Sequence, residues 1–124
     1  VGEREIVDDG KLRGPELPPW QLWDAATEAW YETWRRSPQA QVFEDTDWQR
    51  LHMLAPLVQL YWLTGGDAKL LAEIRQNEER LGATYTDRQR ARMRIVAPEL
   101  AGDEQPGMAS VTHMDDVRAR LQGS

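Results

Sequence analysis

The chain has 124 residues, 40% of them apolar and 29% charged, with a formal net charge of −6 and no cysteine. That length suits one domain and not two, and the absence of cysteine excludes disulfides, thiolate metal sites and a cysteine nucleophile. The negative charge argues against wholesale wrapping by nucleic acid, no apolar run reaches the roughly 18 residues a membrane span needs, and no secretory leader is expected.

Residues 1–23 read as an extended arm. Gly10, Gly14, Pro15, Pro18 and Pro19 punctuate it, and each proline pushes the preceding residue towards extended backbone. Leu17, Trp20 and Trp23 are expected to pin its end to a core. A helix is predicted over 24–36 with Asp24 as N-cap, and Ala26, Trp30, Thr33 and Trp34 share its apolar face. Ser37-Pro38 ends it and starts a short helix over 39–44. Thr46 and Gln49 have capping-box spacing and open a helix to residue 63 or 64, closed by Gly65-Gly66. Pro56 is expected to kink it.

That helix carries Leu51, Leu54, Leu57, Val58, Tyr61 and Trp62 around nearly its whole circumference. So small a domain has few residues to cover every side, which points to self-association. Asp67 caps a helix over 68–81 with Leu71, Ile74 and Leu81 in its stripe. Lys69 with Glu73 and Arg75 with Glu79 have i,i+4 pair spacing. The glycine link folds the two helices into an antiparallel hairpin. Leu51, Leu54, Leu57, Val58, Tyr61, Trp62, Leu71 and Ile74 are the expected oligomerisation residues. A second capping box, Thr86 with Gln89, predicts a helix to Ala97, where Pro98 stops it. Residues 98–124 read as a flexible tail, poor in apolar residues, with a short amphipathic helix over 112–121. No strand is expected. The fold class is all-α: arm 1–23, helical and oligomerisation core 24–97, tail 98–124.

Charge is unevenly spread. Residues 67–97 hold seven basic and five acidic groups and form the only net basic segment. Arg88, Arg90, Arg92 and Arg94 crowd its end and form two ridges on a continuous helix. Guanidinium groups bind phosphates in bidentate fashion, so these four, with Arg35 and Arg36, are the candidate DNA contacts. The competing reading pairs them with Glu78, Glu79 or Glu99 as a solvated face. His52 and His113 lack metal-ligand spacing, and no serine has a triad partner, so neither metal nor catalytic residues are assigned. The six tryptophans all lie within 20–62, and at helical spacing Trp30 and Trp34 read as core and not as base-stacking platforms.

The segments LRGPELP, TEAWYETWRRSPQA, TDWQRLHMLAPLV and LAEIRQNEERLGATYTDRQRARMRI, in that order across about eighty residues ending at Ile95, resemble small terminase subunits of tailed bacteriophages, of the type found in phages of actinobacteria. The resemblance implies a non-enzymatic DNA-packaging factor without cofactor, at work in the host cytoplasm during phage assembly. It implies a homo-oligomeric ring that recognises double-stranded phage DNA and recruits or regulates the large terminase subunit, which carries the ATPase and nuclease. The hairpin over 46–82 would build the ring and the segment after Pro98 would engage the large subunit. No membrane contact is implied. One departure is the lack of a clear helix-turn-helix with a basic recognition helix before Trp30. The alternative is a non-enzymatic helical protein–protein adaptor whose arginine cluster is structural.

Overall fold

The computed structural model describes residues 2–98. In chain order these form strand β1 (Arg4–Val7), helix α1 (Ala25–Arg36), a 3-10 turn (Pro38–Val42), helices α2 (Asp45–Leu63), α3 (Ala68–Glu79) and α4 (Tyr85–Arg90), and strand β2 (Met93–Val96). The domain is mostly helical with a two-stranded parallel sheet, against the expectation of no strands. The expected helix over 112–121 lies outside the described residues.

Helix α1 begins where the Asp24 carboxylate accepts the Thr27 N–H at 2.8 Å, and Arg35 and Arg36 sit at the negative end of its dipole. Its buried face is Thr27, Tyr31 and Trp34, not the stripe through Ala26 and Thr33, which are exposed. The face rotates because the Tyr31 hydroxyl finds partners inside, so the whole phenol can be buried. Thr27 Oγ1 is buried without a hydrogen-bond partner among the described residues.

Helix α2 is entered two residues before the expected capping box. Asp47 Oδ2 accepts the Glu44 N–H at 2.9 Å, so the anionic Asp47 closes the helix start in place of the Thr46 and Gln49 pair. Pro56 sits inside the helix, which continues to Leu63. Trp48, Leu51, Leu54, Ala55 and Val58 face the core, whereas Met53, Leu60, Trp62 and Leu63 are exposed. Gly65 and Gly66 take φ values of 78° and 102°, which turns the chain into α3. There Asp67 Oδ1 accepts the N–H groups of Lys69 and Leu70. Ile74 is the one buried residue of α3, and Leu71 is exposed. Neither expected i,i+4 ion pair of α3 forms among the described residues.

The core has two parts. Tyr31, Trp34, Ala40, Trp48, Leu51 and Leu81 form one, and Leu54, Val58 and Ile74 the other. Half-buried Trp30 packs against both. Trp48 meets Tyr31 and Phe43 edge-on, with ring centroids 6.1 and 5.3 Å apart, a geometry worth roughly 0.5–1.5 kcal/mol per pair beyond burial. Trp20 and Trp62 stay outside this scaffold, at 71% and 53% exposure.

The segment before α1 is extended but closely held. Leu17 packs on the core, and Trp23 Nε1 donates to Pro18 O, while Trp20 does not take part in the expected pinning. Gln59 of α2 spans the junction, accepting the Asp24 N–H and donating to Leu22 O. β1 pairs with β2 in the register Arg4 to Met93 through Val7 to Val96, with Ile6 buried. The two ends of the described chain are thereby joined.

Candidate nucleic-acid interface

The arginine segment is organised by two short elements and not by one long helix. Thr84 Oγ1 accepts the Asp87 N–H, and the Asp87 carboxylate accepts the Thr84 N–H, which forms the capping box of α4 two residues ahead of the expected one. The helix stops at Arg90 because Arg92 adopts φ 59°, and its N–H bonds to Gln89 O. Arg92 O then accepts the Arg4 N–H at 2.7 Å, and the chain leaves as β2. Paired to β1, residues 93–96 gain a sheet ladder and lose the helical period that set the four arginines on two ridges.

Each candidate cation has a distinct setting. Arg88 Nη1 donates to Gly82 O at 3.0 Å and to Ala83 O at 3.2 Å, so it closes the turn between α3 and α4. Arg94 pairs with Glu3 at 3.2 Å and also with Glu5, across the sheet. Arg90 is exposed and makes no ion pair among the described residues; Arg92 is exposed on the adjoining turn. The structure therefore brings Arg88, Arg90, Arg92 and Arg94 to one end of the fold in different roles.

Arg35 and Arg36 lie elsewhere, at the end of α1. Arg35 donates to Arg13 O and Gly14 O, both at 2.8 Å, and its own carbonyl accepts the Arg13 N–H. Arg36 pairs with Glu32 at 3.2 Å and reaches Gly10 O at 3.4 Å. Both hold the N-terminal segment against α1. Asp9 belongs to the same segment: its bond from Arg13 and the Lys11 N–H hold its carboxyl down at about 2.

A relay one turn earlier on the same face of α1 fixes Pro15. The Tyr31 hydroxyl lies 2.6 Å from Pro15 O and 2.8 Å from His52 Nε2. A carbonyl only accepts, so the phenolic hydrogen goes to Pro15 and His52 donates from Nε2. Burial pushes the Tyr31 hydroxyl up to about 12 and lowers His52 below its ordinary value. Sequence patterning did not mark this relay, because its members lie 16 and 21 positions apart.

Of the residues expected at a subunit interface, Leu51, Leu54, Val58 and Ile74 are buried in the chain's own core. Leu57 and Tyr61 are half-buried, and Trp62 and Leu71 are exposed. Among the described residues no three His, Asp or Glu side chains converge to hold a metal ion, and no helix is long and apolar enough to cross a membrane.

The family model described as phage terminase small subunit matches residues 2–122 of this chain. The chain belongs to the phage terminase small subunit family. No curated protein and no solved structure matches it. As a small terminase subunit it is a viral DNA-packaging factor. Its basic end, with Arg90 and Arg92 exposed beside the capped turn of α4, is the candidate surface for phosphates.

Proposed function

We propose that this small terminase subunit assembles into a ring that recognises double-stranded phage DNA and recruits or regulates the large terminase subunit. ATP hydrolysis and DNA cleavage belong to that larger partner, and this chain acts without catalysis or cofactor in the host cytoplasm. One observation carries the reading. Met53, Leu60, Trp62 and Leu63 of α2 and Leu71 of α3, between 45% and 71% exposed, turn apolar side chains towards solvent. Exposed apolar surface of this kind marks an association site. It supports a shift of the oligomerisation surface from the inward residues of α2 to this outer set. Helices α2 and α3 act as an antiparallel hairpin in this assembly. Support comes from Arg50, near the start of α2, which bonds Asn77, near the end of α3, at 3.1 Å.

In the same reading residues 24–97 form the oligomerisation domain, 1–23 is the segment laid against it, and 98–124 engages the large subunit. Arg90 and Arg92 contact phosphates, while Arg88, Arg94, Arg35 and Arg36 hold the frame that presents them. Each contact is weak, and repetition around a ring multiplies it enough to overcome the net negative charge. Native mass spectrometry with and without cognate duplex tests the assembly and its ligand together. Discrete oligomers that take up DNA are expected, and a monomer at micromolar concentration overturns the ring.

A second reading has its own support: an adaptor whose arginines are structural. Arg88 and Arg35 are spent on carbonyls of their own chain, and Arg94 on Glu3 and Glu5. Duplex binding by the Arg90→Ala, Arg92→Ala double variant separates the two. The ring-and-DNA reading expects weaker binding and a shallower salt slope, and an unchanged slope leaves the adaptor.

A further inference from the structure

Between α1 and the end of α3 lies an open groove of about 360 Å³ whose walls include Trp30, Thr33, Trp34, Ser37, Gln39 and Glu78. Its floor is unusual in what its polar atoms have left to offer. Trp30 Nε1 and Trp34 Nε1 both donate to Glu78 Oε2, at 2.8 and 3.4 Å. The Thr33 hydroxyl donates to Ala29 O, the Ser37 hydroxyl to Trp34 O, and the buried Gln39 amide to Gly82 O. Both indole N–H groups and the Thr33 and Ser37 hydroxyls are thus engaged. Glu78 Oε1 and Gln39 Oε1 accept no hydrogen bond among the described residues. Arg88 lies close by in the chain but spends its guanidinium on Gly82 O and Ala83 O, and it forms no ion pair with Glu78 among the described residues.

We propose that this groove is a binding site for an arginine side chain of a partner polypeptide. What the groove offers is a carboxylate fixed by two indole N–H groups, with the half-buried Trp30 ring beside it. A flat cation rich in donors uses both: its N–H groups bond the carboxylate and its face stacks on the indole. Lysine presents a compact ammonium that matches the carboxylate but not the flat wall. Phosphate is disfavoured at the same place, since its negative charge would meet the Glu78 carboxylate and the indole N–H groups are already spent on that residue. The site therefore takes protein and not DNA, and neither Arg90 nor Arg92 lines it. Nothing in it depends on how the DNA is bound.

The test is a titration of the full chain with N-acetyl-arginine amide, followed by the indole N–H signals of Trp30 and Trp34 in two-dimensional NMR. Saturable shifts of those two signals are expected, weaker with N-acetyl-lysine amide and absent with the neutral, equally shaped citrulline compound. Glu78→Gln keeps an acceptor for both indoles and removes the charge. It should bind the arginine probe about tenfold more weakly, the loss expected when one charged hydrogen bond becomes neutral. The assignment fails if citrulline matches arginine, if no indole signal shifts saturably, or if folded Glu78→Gln binds as tightly as the parent chain. The comparison of arginine with citrulline on the parent chain decides the matter even if the variant does not fold.

Discussion

Replacing Gly14 by alanine tests how the N-terminal segment is held. Gly14 sits at φ 74°, where an alanine costs about 1–2 kcal/mol through the contact of its Cβ with the backbone. A Cβ built there also lies 2.5 Å from the Trp48 ring. That ring is 7% exposed and wedged edge-on against Tyr31 and Phe43, so it has no space to step aside. Overpacking of this kind costs about 1–3 kcal/mol. Together the two effects should destabilise the domain by about 2–5 kcal/mol, on the order of 10–30 °C in melting temperature for a domain of this size. Gly10 supplies the control. It has a similar φ of 66°, and nothing lies within 4 Å of its Cβ position, so Gly10→Ala should lose only the backbone part. Urea unfolding followed by tryptophan fluorescence reads both variants. If Gly14→Ala and Gly10→Ala lose equal stability, the packing of Gly14 on Trp48 contributes nothing and the reasoning fails.

Other outcomes follow from the same contacts. Tyr31→Phe removes the bonds to Pro15 and His52 and should cost about 1–3 kcal/mol, with earlier proteolysis before residue 24 as a second sign. Because the folded pKa of His52 is depressed, its neutral form is the one the fold favours. Stability from this source is complete above the ordinary histidine value and is lost as pH falls through the folded value, so urea midpoints measured from about pH 7.5 to 5 should drop in the parent and flatten in His52→Gln. Arg94→Ala breaks two exposed ion pairs and should change stability by no more than about 0.5–1 kcal/mol; a larger loss in chemical denaturation would mean that those pairs hold the sheet together. Trp62→Glu, at a half-exposed position of α2, should leave the melting temperature nearly unchanged while light scattering reports a smaller particle.

The helices were legible because their signals are local. Asp24 and Asp67 cap the helices that follow them, as their positions suggested, since an N-cap needs only a short acceptor side chain within reach of the next turn. Gly65, Gly66 and Gly82 end or turn the chain at positive φ, where only glycine is unstrained. Where two local signals competed, the choice passed to packing. Glu44 and Asp47 displaced Thr46 and Gln49 at α2, and Thr84 and Asp87 displaced Thr86 and Gln89 at α4.

The sheet was not legible, because its strands are four residues long, mix charge with apolar side chains, and lie about ninety positions apart. That pairing is also what reassigned the arginines. On a helix continued to Ala97 they would have formed two ridges; paired to β1, Arg94 meets Glu3 and Glu5 instead. By itself the sequence determined a tryptophan-rich helical scaffold, its caps and turns, and a basic end, all properties of neighbouring residues. Tertiary structure decided which cations stay exposed, which apolar side chains of α2 lack cover, and that Glu78 is held by two indoles. Those depend on contacts between residues distant in the chain, which no local pattern encodes.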